Sequence, residues 1–159
     1  MMTRHLRTSA FVMAGVLAMG ISAIAADSNL GTWKMNAAKS KFDPGPAPKS
    51  QTLKIEAWGA DGVKYTADGM DGDGKPSHWE MQAKYDGKFV PFKGNPDADM
   101  LAYKRIDANT VEATTQLNGK VMGTSRIVVS ADGKTRTLTQ TGKNAKGQDV
   151  HNTVVYEKQ

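Results

Sequence analysis

Cysteine is absent from all 159 residues. A domain without it has no disulfide to lean on and must be held by its buried core. Catalytic constellations are missing as well. There is no Gly-x-Ser-x-Gly elbow, no His-Glu-x-x-His pair and no phosphate-cradling glycine loop, and closely spaced acids occur only around turns. An enzyme is therefore not expected, nor is a cofactor. Clustered charge of one sign is also lacking. Lysines are interleaved with Asp and Glu, so nothing resembles the basic stripe that binds nucleic acid.

Long apolar runs are scarce too, with one exception at the N-terminus. Ala10 to Ala26 is uncharged, follows Arg4 and Arg7, and ends in Ala23-Ile24-Ala25 or Ile24-Ala25-Ala26 just before the first acid, Asp27. Those are the parts of a secretory signal peptide. Its 17 residues, rich in Ala and Gly, are marginal for a membrane helix, which needs about 20 strongly apolar ones. Residues 1–26 are thus read as a signal peptide and 27–159 as one mature domain, periplasmic or secreted. The missing cysteine also excludes a lipid anchor at the cleavage site. Removing the segment takes two of 21 basic residues and none of 16 acids, leaving 133 residues at a net charge of +3. That is one domain with room for a substantial core, a monomer with no membrane span.

What the mature chain does have is turns. Eight clusters of Gly, Asn and Asp punctuate it. They are Gly59–Gly62, Asp71–Gly74, Asp86-Gly87, Gly94–Asp97, Asp107–Asn109, Asn118-Gly119, Ala131–Gly133 and Lys143–Gly147. These residues tolerate the positive φ of tight hairpins, so the clusters mark strand reversals. The segments between them read as strands: Leu30–Met35, Gln51–Trp58, Val63–Asp68, Ser77–Tyr85, Lys88–Phe92, Met100–Ile106, Val111–Leu117, Val121–Ser130, Lys134–Gln140 and Asp149–Glu157. Pro91 marks the fifth as irregular or at an edge. Lys39–Ser50, with Pro44, Pro46 and Pro48, reads as an irregular connection. The fold class is all-β: an up-and-down antiparallel meander of about ten strands closing into a barrel.

Alternation assigns the faces. Leu53 and Ile55 oppose Lys54 and Glu56; Val63 and Tyr65 oppose Lys64 and Thr66. Trp79, Met81, Ala83 and Tyr85 oppose His78, Glu80, Gln82 and Lys84, and Val111 and Ala113 oppose Glu112 and Thr114. Met100–Ile106 and Val121–Ser130 are apolar on both parities and take no orientation from pattern. A weak repeat at a separation of 73 matches Thr66, Gly69, Gly74 and His78 with Thr139, Gly142, Gly147 and His151. Its fall on equivalent places of two hairpins makes duplication plausible.

Six residues are candidates for a ligand site. Tyr65, Trp79, Met81 and Tyr85 form an aromatic and sulfur-bearing inward stripe suited to an apolar or flat ligand. Arg105 shares parity with Leu101 and Tyr103, which makes it the best of three strand arginines (with Arg126 and Arg136) to meet a carboxylate or phosphate. Metal is not expected. His78 faces outward and, with His151, lacks a third ligand. Asp68, Asp71 and Asp73 lack the pattern of a calcium loop, and the matching turn Thr141–Gly147 has no acid.

Gly31-Thr32-Trp33 on the first strand, followed by a ten-strand meander ending in Val155-Tyr156-Glu157-Lys158, resembles the calycin superfamily. The nearest branch is the fatty-acid-binding proteins, with the lipocalins related. A longer string resembles a widespread family of small exported bacterial proteins of unknown activity. It runs through Gly31-Thr32-Trp33-Lys34, Lys39-Ser40-Lys41-Phe42 and Pro44-Gly45-Pro46-Ala47-Pro48-Lys49-Ser50. The resemblance implies a lipocalin-like barrel whose closed end is plugged by Trp33. It also marks two departures. The proline-rich connection stands where fatty-acid-binding proteins carry a helical lid, and Val154 stands where their carboxylate-binding Arg precedes the tyrosine matching Tyr156.

The expected function is binding of a small apolar ligand by an exported barrel. The alternative is a protein-interaction module or inhibitor of the cell envelope, with a filled barrel and active loops at Lys39–Ser50 and Gly94–Asp99. An enclosed cavity favours the first and a solid interior the second. N-terminal sequencing of the exported form should begin at Ala26 or Asp27; intact Met1 in the membrane fraction would contradict the signal-peptide reading.

Overall fold

The turn clusters and the proline-rich connection set off ten strands, with Asp86-Gly87 falling at the start of the fifth. The computed structural model describes residues 26–159, so the expected signal segment, apart from Ala26, lies outside the described residues. The strands are β1 (Gly31–Met35), β2 (Ser50–Trp58), β3 (Gly62–Met70), β4 (Pro76–Lys84), β5 (Asp86–Pro91), β6 (Met100–Asp107), β7 (Thr110–Leu117), β8 (Lys120–Val129), β9 (Thr135–Lys143) and β10 (Asp149–Lys158). A single 3-10 turn, Ala37–Lys39, follows β1. Among the described residues no helix is long and apolar enough to cross a membrane.

Each strand pairs with its neighbours in sequence except β4 with β5, and β1 also pairs with β10, giving one antiparallel sheet in the order β4-β3-β2-β1-β10-β9-β8-β7-β6-β5. Curling brings β4 and β5, the two ends of that order, face to face. Between them the only paired residues described are Glu80 and Lys93, which exchange two backbone hydrogen bonds of 3.0 Å. The barrel is nearly closed, with its seam there. Gly94 allows this approach: a Cβ on it would overlap the His78 carbonyl, and its φ of +82° suits glycine. Pro91 ends β5 at the seam, where its missing N–H disturbs no ladder.

The two strands that pattern left unoriented are settled by packing. On β6, Leu101 and Tyr103 are buried, as is Ala102 between them. On β8, Ser125, Ile127 and Val129 face inward. Val121 has the same parity, yet it is 55% exposed. The register shift between Thr115 and Gln116, which pair with Gly123 and Val121, leaves Met122 bulged and changes the face beyond it.

Alternating turns divide the barrel into two ends. One gathers the first described residues and the turns after β2, β4, β6 and β8; the other gathers the connections after β1, β3, β5, β7 and β9. The first end is filled. Trp33, Leu53, Ile55, Val63 and Ile127 are almost wholly buried. The Trp33 indole N–H donates to the Asn29 carbonyl at 3.0 Å, and the Lys158 ammonium lies 5.0 Å from its ring centre. A buried aromatic of this kind carries much of a small domain's stability. Trp33→Ala should cost about 3–5 kcal/mol in denaturant unfolding; a loss below about 1 kcal/mol would contradict its place as the plug.

Candidate functional site

Above the packed end the barrel is hollow. A cavity of about 390 Å³ opens at the other end, where Pro44, Pro46 and Pro48, Asp71-Gly72, Asn95–Asp97 and the hairpin around Asn144 form the rim. Such a volume lies within the range of small-molecule pockets, roughly 300–1,000 Å³. Two of the rim loops meet: the Ala145 N–H donates to Asp97 Oδ1 at 2.8 Å.

The walls follow from strand composition. β3 and β4 alternate large apolar and polar residues, so Tyr65, Trp79 and Met81 face the cavity. Phe92 packs edge-on against Tyr65 and Trp79, with ring centres 6.4 and 6.1 Å apart. The opposite wall is mixed, with Ile127, Leu138 and Val154 among polar side chains, because β7, β8 and β9 are rich in Thr, Ser and Gln. Thr115, Ser125, Gln140 and Asn152 line it, with Gln51. Asn152 Nδ2 donates to Gln140 Oε1 at 3.0 Å, and the Tyr156 hydroxyl donates to Gln51 Oε1.

Arg136 lies at the floor. It is the second residue of β9, directly across from Tyr156 on β10. From there Arg136, Leu138 and Gln140 climb the inward face toward the mouth. Its side chain is 1% exposed. The Nε–H donates to Asn29 Oδ1 at 2.9 Å, while Nη1 and Nη2 have no hydrogen-bond partner among the described residues. The acids that line the cavity, Asp71 and Asp97, stand at the rim. A buried charge is costly unless paired, so a cavity-lining arginine with two buried, unpartnered guanidinium nitrogens is unusual.

Three tyrosines surround this charge. Burial raises the hydroxyls of Tyr65 and Tyr103 and pushes Tyr156 up to about 12, and in each case Arg136 pulls the other way. Tyr103 lies near enough to feel the guanidinium strongly, yet makes no well-formed hydrogen bond to it. The phenols therefore stay neutral at physiological pH; the Tyr156 proton is already given to Gln51, which leaves Tyr65 and Tyr103 to donate. Uncharged hydroxyls beside an unpartnered cation do not cancel its charge.

Of the six residues proposed from sequence, Tyr65, Trp79, Met81 and Tyr103 line the cavity. Tyr85 and Arg105 do not; they lie beneath it, in the closed end. The Tyr85 hydroxyl donates to Asp27 Oδ2 at 2.7 Å, and Arg105 Nη2 donates to the same oxygen at 2.8 Å. Tyr85 is sandwiched between the Arg105 guanidinium, 3.9 Å from its ring centre, and Tyr103, stacked at 6.1 Å. Arg105 is thus already neutralised, and the free arginine is Arg136. Leu138, the one apolar side chain of β9, shares Arg136's parity and was the signal available for it. Arg126 is exposed. The histidines stay apart from the site: His78 Nδ1 lies 2.6 Å from Asp68 Oδ1 on the outer face of the β3–β4 hairpin, while His151 is on β10. Asp71 Oδ1 accepts from the N–H groups of Asp73 and Lys75, as a turn residue does.

No family model matches this chain, and no curated protein matches it. Solved structures do. The fluorescent protein UnaG is 14% identical, with 83% of this chain and 98% of that one covered at a TM-score of 0.54. A zebrafish ileal bile acid-binding protein complexed with cholic acid is 10% identical, with 83% and 99% covered at a TM-score of 0.47. Ten antiparallel strands in one nearly closed meander, together with the likeness to UnaG, give this chain the calycin fold.

Proposed function

We propose that this protein is an exported binding protein for a small amphipathic acid, held with its acid group on Arg136 and its apolar body against Tyr65, Trp79 and Met81. One observation carries the reading: a fully buried arginine that lines the cavity has both terminal nitrogens unpartnered. A carboxylate bound end-on through two parallel hydrogen bonds satisfies both at once. Neutral Tyr65 and Tyr103 offer further donors, and the aromatic wall supplies apolar contact.

The hollow interior supports binding of a small molecule over a filled interaction module. No step of chemistry follows from these residues, and the role fits carriage or sequestration rather than catalysis. Export rests on the sequence of residues 1–26.

cis-Parinaric acid and its methyl ester make the test, since they share one apolar body and differ in charge. The wild-type protein should bind the acid at least about tenfold more tightly, the worth of one charged hydrogen-bond pair. Arg136→Gln should abolish that preference and leave the ester's affinity nearly unchanged. Equal binding of acid and ester by the wild type would contradict the reading.

A further inference from the structure

The first described residues reach into the closed end and present two polar side chains to two arginines, and the two differ in charge. Asp27 gives its carboxylate to Arg105, whose side chain is 31% exposed. Asn29 gives a neutral amide oxygen to the Nε–H of Arg136, which is almost wholly buried. Ordinary packing would favour the reverse, because the deeper cation has more to gain from a counter-charge.

Asn29 is itself firmly held. It is 2% exposed. Its N–H donates to Asp27 Oδ1 at 3.0 Å, its Nδ2 donates to the Tyr85 hydroxyl at 3.2 Å, and its carbonyl accepts the Trp33 indole N–H at 3.0 Å. With the Nδ2 donor spent on Tyr85, the Oδ1 acceptor is aimed at Arg136 without a choice of flip. The same contacts hold the Asp27 carboxylate on Arg105 and Tyr85.

Resting on the reading that Arg136 receives an acid, we infer that Asn29 is a specificity-determining residue for the ligand. It pins the guanidinium by Nε and leaves Nη1 and Nη2 as the unpartnered nitrogens of a side chain that lines the cavity. It does so with an uncharged group, so beyond the Tyr156 ring face, 5.6 Å away, the positive charge meets no counter-charge until an anion enters. A carboxylate in the same place would neutralise Arg136 from below and convert the site to one that prefers neutral ligands. Asn29 acts through Arg136 and is a positioning residue; it does not line the cavity.

The experiment compares cis-parinaric acid with its methyl ester on the wild type, Asn29→Asp, Asn29→Ala and Arg136→Gln, with thermal melting to confirm folding. Asn29→Asp should lower the acid's affinity at least about tenfold while the ester's affinity stays within about threefold, closing the gap between them. Asn29→Ala removes the pin but keeps the charge, so the acid preference should narrow by several-fold and not vanish. A merely structural role would weaken both probes alike. If Arg136→Gln loses the acid preference but folded Asn29→Asp retains it in full, the inference about Asn29 is overturned and the proposed function stands. If the wild type shows no acid preference, both fall. Should Asn29→Asp fail to fold, Asn29→Ala decides: an unchanged preference overturns the inference and a narrowed one supports it.

Discussion

A guanidinium buried at the bottom of a hollow barrel, with two nitrogens unpartnered among the described residues, is the constraint around which this structure is arranged. Burying an ion costs several kcal/mol unless it is paired. The protein meets part of that cost below the charge and leaves the rest above it. Below, Asn29 takes one donor and the packed end around Trp33 fixes the geometry. Above, three neutral tyrosines and a mixed wall surround the charge without cancelling it. A barrel built only for stability would place a carboxylate or an apolar side chain there.

The two halves of the barrel divide these demands. Trp33, Leu53, Ile55, Val63 and Ile127 supply dense burial at the closed end. The upper half is open, lined on one side by aromatics and on the other by Thr, Ser, Gln and Asn among Ile127, Leu138 and Val154. The rim is made of turns and a proline-rich connection, whose start is tied to β10 by the Lys41–Thr153 bridge and by the His151 N–H on the Asp43 carbonyl. Stability below thus allows an interior above that is neither filled nor uniformly apolar.

Much of this was legible in the residues. Turns announce themselves because few residues tolerate positive φ; Asn118 and Gly119, at φ 51° and 78°, are the plainest instance. The inward stripe of β3 and β4 followed from alternation. Depth did not. Parity says that Tyr85 and Arg105 point inward, but both strands run toward the filled end, so residues one or two steps beyond Met81 and Tyr103 drop below the cavity. Arg136, one of the three strand arginines, ranked below Arg105 because β9 is rich in Thr and carries only Leu138 as an apolar marker. Asn29 gave no signal at all, since its role depends on a cross-barrel contact that no local pattern encodes. Val154, where the resemblance implies an arginine, faces the cavity as an apolar side chain. The arginine stands on the neighbouring strand instead, opposite Tyr156.

The most direct test of the central claim is a crystal structure of the protein with cis-parinaric acid bound. The account predicts both carboxylate oxygens on Arg136 Nη1 and Nη2, at about 2.7–2.9 Å as charged pairs show, with the chain rising past Trp79 and Met81. A ligand lying the other way, with its carboxylate at the rim beside Lys143 and Lys146 and hydrocarbon against Arg136, would contradict it.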